Sequence, residues 1–138
     1  MFYRFIIIAT IFSGYACGTK TNTSPASDLA NQLKSGQWMV HYFFDNNTDL
    51  TRQHSTVQLT FNNNNTLSIS NGNEAFNGGW SVTKDNDGTE RLLINIASLT
   101  NIQLLNNNWK VMSVTSGTFV QLKDPDSNST KELHIMKM

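Results

Sequence analysis

From Gln37 onward, apolar side chains recur at every second position in short bursts, each followed by Asn, Asp, Ser or Gly. That period belongs to β-strands, whose successive side chains face opposite sides of a sheet. The first burst, Gln37 to Phe44, puts Trp38, Val40, Tyr42 and Phe44 on one side and Met39, His41 and Phe43 on the other. Both sides are bulky, so cover is expected on both. Val57, Leu59 and Phe61 alternate with polar residues, and Leu67 and Ile69 follow after Asn62–Asn65, which predicts a hairpin. Further strands are predicted around Trp80 and Val82, and around Leu92, Ile94 and Ile96. Three more carry Trp109, Val111 and Ser113, then Val120 and Leu122, then Leu133 and Ile135.

Two segments break the alternation. Ser27 to Gly36 carries helix signals: Ser27 as a cap, Asp28 at the positive helix start, Leu29 and Leu33 on one face, and Gly36 as a stop. Between Ser98 and Leu105, Leu99, Ile102 and Leu105 recur at threes, predicting a helical turn laid across an opening. Asp85-Asn86-Asp87-Gly88 and Asp124-Pro125-Asp126 read as turns. Nothing has the pattern of a strand–helix–strand crossover. The expectation is an all-β fold: an eight-stranded antiparallel up-and-down barrel with a short N-terminal helix. Such a barrel closes its own edges and can hold one small ligand.

The start of the chain follows another logic. Arg4 precedes an apolar run, Phe5 to Phe12, and Ser13-Gly14-Tyr15-Ala16 leads to the sole cysteine, Cys17. A membrane-crossing helix needs about twenty apolar residues, so this shorter run reads as the core of a secretory signal. A lone cysteine in an exported chain has no internal disulfide partner and needs another use. Ala16 and Gly18 around Cys17 resemble the lipobox of bacterial lipoproteins, with Gly14 standing where that motif usually has Leu, Val or Ile. The resemblance implies cleavage before Cys17, acylation of Cys17 and a membrane held through a lipid anchor. It also places the protein in the bacterial cell envelope, on the outer membrane facing the periplasm. The organisation expected is a signal peptide over residues 1–16, a polar tether over 17–26 and a barrel over 27–138.

Charge adds exclusions. Ten basic and ten acidic residues balance, and no basic block is present. Nucleic acid is therefore not an expected partner, since phosphate neutralisation needs clustered cations.

Gly36-Gln37-Trp38 at the start of the first strand, after a short helix, resembles the Gly-x-Trp signature of lipocalins and related calycins. Leu104-Leu105 ahead of Trp109 is similar to small lipocalin-like domains on bacterial lipoproteins. The resemblance implies that Trp38 closes the barrel base. A Thr-Asp-Tyr-type second motif is missing, and Lys137 stands in the last strand where the family often packs Arg over the Trp.

Catalytic and metal chemistry find no motif. His41 and His134 sit in the first and last strands and become neighbours if the barrel closes, but metal sites need three or four ligands. No Gly-x-Ser-x-Gly elbow or Cys–His arrangement exists. Asp49, Arg52 and His54 read as a solvated loop, and Asp85 and Asp87 as a turn. No enzyme, cofactor or metal is expected. Two readings stay open. In one, the barrel binds a small apolar ligand or an envelope protein, with Trp38, Val40, Tyr42, Leu59, Phe61, Trp80 and Trp109 lining the interior. In the other, it is a structural or inhibitory module with a filled core.

Overall fold

The computed structural model describes residues 25–138, so the signal, Cys17 and the tether up to residue 24 lie outside the described residues. Helix α1 (Pro25–Lys34) leads into β1 (Gln37–Asp45), a two-residue β2 (Thr48–Asp49) and the single turn α2 (Thr51–His54). Then come β3 (Val57–Phe61), β4 (Thr66–Asn71), β5 (Glu74–Lys84) and β6 (Glu90–Ile96). A 3-10 helix (Asn101–Leu105) precedes β7 (Asn107–Thr115), β8 (Phe119–Lys123) and β9 (Glu132–Lys137). α1 begins at Pro25, ahead of the expected cap at Ser27. Proline suits a first helical turn, where its missing N–H has no partner to lose.

Strands β1 and β3 to β9 pair antiparallel in chain order, and β1 pairs β9 to complete an eight-stranded barrel, with β2 against the end of β1. The expected architecture is therefore observed. Its cause is visible in the register: Leu59 faces Ile69, Phe61 faces Leu67, and Leu122 faces Leu133, each pair buried together. A one-residue slip would turn each of these sets to solvent. The polar punctuation also does what its chemistry allows. Asn65 adopts φ 61°, Asn46 and Asn47 φ 50° and 59°, all in turns at strand ends, where Asn tolerates left-handed backbone better than most residues. Gly78 answers to space instead: a Cβ there would lie 2.5 Å from the carbonyl oxygen of Asn95 on β6.

Strict alternation fails in two strands, and for one reason. Along β1, Val40 faces Ile135 but Tyr42, not His41, faces His134, so β1 carries an extra residue against β9. A bulge of this kind shifts the side-chain alternation by one. Trp38 and Val40 point into the core as expected, but after the bulge Phe43 is the buried residue, while Tyr42 and Phe44 are half-buried on the outer surface. The assignment of Tyr42 to the interior is thus corrected. In β7 the register shifts between Val111 and Ser113, making Met112 the extra residue. Val114 then packs against the core, and Ser113, expected to face inward, is exposed.

The bulge in β1 makes opposite predictions for adjacent residues. Phe43→Ala should cost about 3–5 kcal/mol, the range for emptying a buried aromatic site. Tyr42→Ala should cost about 1 kcal/mol, because its ring keeps partial solvent contact. Urea unfolding of both variants checks this, and equal or inverted costs would put the strand's faces the other way round.

Candidate functional site

The candidate site is the barrel interior, and six of its seven proposed residues meet there. Trp38, Val40, Leu59, Phe61, Trp80 and Trp109 all belong to one buried cluster. Tyr42 does not. What the six do is best seen from the indoles. An indole N–H is a donor only, and a buried one needs an acceptor. Trp38 Nε1 donates to the carbonyl of Leu33 at 2.8 Å, Trp80 Nε1 to that of Asn62 at 3.1 Å, and Trp109 Nε1 to that of Leu105 at 2.9 Å. The acceptors sit in α1, in the β3–β4 turn and in the 3-10 helix. Each tryptophan therefore ties the sheet to a segment that crosses or turns at a barrel end. Phe61 packs edge-on to Trp80, with ring centroids 5.1 Å apart.

Both ends are covered. α1, leading into the start of β1, buries Leu29 and Leu33 in the core. At the opposite end, where β1 and β6 finish, the 3-10 helix buries Ile102 and Leu105 beside α2. Ile102 and Leu105 are as the spacing predicted, whereas Leu99 is 99% exposed and takes no part. His54 joins these two caps. It is fully buried, with Nδ1 3.0 Å from the Leu50 carbonyl and Nε2 3.2 Å from the Asn101 carbonyl, and its ring lies edge-on to Phe43. This overturns the reading of His54 as part of a solvated loop. Asp49 does stay outside, where its carboxylate accepts the Thr51 N–H at 2.9 Å. Side-chain and backbone hydrogen bonds from Thr51 hold that carboxyl below its usual value. Lys131 completes the cap, with its ammonium 5.3 Å from the Trp109 ring centroid, 5.9 Å from that of Phe43, and 3.7 Å from Asp45. Its methylenes can cover apolar surface while the charge stays near water.

The other histidines gather outside. His41 and His134 do become neighbours through β1–β9 pairing, but the Phe119 ring lies between them at 5.8 Å and 5.4 Å. Tyr42 packs on His134 at 4.9 Å and stacks with Phe44 at 6.4 Å. Glu132 Oε1 accepts from Gln121 at 2.7 Å and lies 2.6 Å from His134 Nε2. Among the described residues, no group of three or more His, Cys, Asp or Glu is placed to hold a metal ion. Asp85 and Asp87 serve the turn: Asp85 pairs with Arg91 at 2.7 Å, and Asp87 accepts the Thr89 N–H at 2.9 Å.

Among the described residues, concavities open on the surface. One of about 450 Å³ lies between the β5–β6 turn and β7, one of about 360 Å³ on the outer side of β3 to β5, and one of about 210 Å³ beside the β8–β9 loop. None is lined by any of the seven proposed residues. The first of them lies along strand edges, a signal that residue periodicity does not carry.

With this geometry in hand, comparison with known proteins adds one point. The chain is similar in structure to a DUF4847 family protein from Bacteroides vulgatus ATCC 8482, with a TM-score of 0.51 and 15% identity. The match covers 75% of this chain and 93% of that one. At this identity the likeness concerns the fold. No protein-family model matches the chain, and no curated protein does.

The outer cluster has a pH consequence. Burial works against the Glu132 charge, but the donors Gln121 and His134, with the charges of His134 and Lys123, outweigh it and lower its pKa. A carboxyl lower in the fold than in the unfolded chain adds stability above its unfolded value, and loses it as pH falls through the folded one. Wild type should therefore be more stable than Glu132→Gln near pH 6, and the gap in urea midpoint should close towards about pH 3. A gap that does not change with pH would show that this carboxylate contributes no linkage.

Proposed function

We propose that this chain is a membrane-anchored bacterial lipoprotein whose lipocalin-like barrel is a filled scaffold that engages an envelope protein through its outer surface. The observation that carries this reading is how the interior is occupied. The tryptophans expected to line a cavity instead give their N–H groups to the segments that cap the barrel, and both ends are covered by buried side chains. A ligand inside would have to displace one of those caps and strand buried carbonyls, each costing about 1–3 kcal/mol unpaired. That weighs against the small apolar ligand and favours the interaction module.

The lipocalin-like part draws support from Trp38 and Lys137. They are register partners on β1 and β9, and the Lys137 side chain fills the space that Gly36 leaves, since a Cβ there would meet its Cε at 2.6 Å. Lys137 Nζ donates to Ser35 Oγ at 3.0 Å, which ties the last strand to the turn after α1. The Gly-x-Trp arrangement thus works together with a cation from the final strand. The anchor rests on the Met1–Cys17 pattern alone. Several acyl chains at Cys17 would give firm attachment, because each buried methylene contributes about 0.8 kcal/mol.

Two mass measurements on the membrane-extracted protein check the two halves. The N-terminal peptide of wild type should begin at Cys17 and carry acyl mass, and Cys17→Ala should lack that mass; an unmodified thiol sinks the anchor. Native mass spectrometry of the whole protein should show the acylated chain free of any small molecule and together with an envelope protein; a co-eluting small molecule of constant mass sinks the filled scaffold, and recovery only as a free monomer sinks the partner.

A further inference from the structure

The barrel is closed, yet one seam is open along part of its length. β6 and β7 pair from Arg91 with Lys110 to Ile94 with Asn107. Beyond Lys110, β7 continues to Thr115 with register partners on β8 alone. β6 cannot follow, because it starts at Glu90, and the chain before it turns back to β5 through Asp85–Thr89. Arg91 holds that turn through Nε and Nη2, both 2.7 Å from Asp85 Oδ2. The bulge at Met112 adds local twist to the other side of the gap. The cavity of about 450 Å³ lies in this gap, with Lys84, Glu90, Lys110 and Met112 to Val114 in its lining.

A gap between β1 and β3 is handled differently. Those strands pair only over Gln37–Met39. Further along β1, the chain supplies substitutes: the Phe43 N–H donates to Thr51 Oγ1 at 3.0 Å, and its carbonyl accepts the Leu50 N–H at 2.8 Å. Among the described residues, nothing does this for Met112 to Val114 on the β6 side. Two further features mark the same place. Glu90 Oε1 is buried and has no donor. Lys110 and Lys123 face each other as register partners, and Lys84 lines the cavity as well. Like charges directly opposite destabilise a sheet pair.

We propose that this seam is a strand-addition site for an extended, acidic peptide segment of a partner protein. An unpaired strand edge is a template for another chain, and strand addition draws affinity from main-chain hydrogen bonds and specificity from side-chain contacts. The incoming backbone pairs with the free edge at Met112 to Val114. One of its N–H groups satisfies Glu90 Oε1, and its carboxylates lie against Lys84 and Lys110. This rests on the interaction-module reading and names the site through which it works.

The test uses the full chain and an end-capped synthetic hexapeptide of alternating Val and Glu. Hydrogen exchange at the cleft-facing amides of Met112 to Val114 should slow by about tenfold or more at saturating peptide. The effect should weaken with salt, as exposed ion pairs do. A peptide N-methylated at alternate amides should give no protection, and neither should a Lys-for-Glu peptide. The double variant Lys84→Glu, Lys110→Glu should reverse that preference and bind the lysine peptide. Absence of protection, or equal binding of the N-methylated peptide, overturns the proposal. So does slow exchange before any peptide is added, which would mean that residues 18–24 or a second copy already fill the edge; concentration dependence tells these two apart. No lipid or envelope protein enters this experiment, so its failure leaves the mass measurements on Cys17 and the filled core to stand or fall by themselves.

Discussion

Pairing of β1 with β9 joins residues about a hundred positions apart, and the remaining structure is built on that closure. It ends the row of unpaired backbone groups that an open sheet of this size would present. It also makes one enclosed volume out of strands that could not each bury an apolar side. Closure fixes where the bulge in β1 must fall, because Val40 matches Ile135 while Tyr42 matches His134. Everything inward or outward along β1 follows from that single extra residue.

Once closed, the barrel has two open ends, and three tryptophans deal with them. Each indole lies among core side chains and spends its polar atom on a carbonyl outside the barrel strands. Buried carbonyls at helix ends need such partners. The tryptophans are thus both core volume and end-staples, and they fill the interior that one reading had them line. His54 does similar work between α2 and the 3-10 helix. With the interior occupied, the outer surface is where the edges of β1 and β7 contrast. Thr51 and Leu50 close the first, and the second is left to a cavity with lysines on its rim.

Much of this was legible in advance where the signal was local. Leu59, Phe61, Leu92 and Ile94 obeyed period two and are buried. The Asn62–Asn65 run became a turn, and Ile102 and Leu105 became a helical cap, whereas Asn107 and Asn108 of the run at 106–108 pair within β7 instead of turning. The failures share a cause. Tyr42 and Ser113 were assigned by alternation that runs on without a break, and a bulge is a property of two strands, not of one. His54 sat among polar neighbours, Arg52, Gln53 and Ser55, which do stay exposed. Nothing in that stretch announced that a backbone carbonyl from Asn101 would meet the ring.

The sequence by itself determined the strand periods, the turn positions, the antiparallel order and the signal-like start that ends at Cys17, because each depends on residues close together in the chain. Only the tertiary structure decided which way Tyr42 and Phe43 point, that the indole donors are consumed, that both ends are capped, and that β7 outruns β6. Those outcomes depend on register between distant strands and on the limited room inside a closed barrel. Neither quantity is written in any single segment.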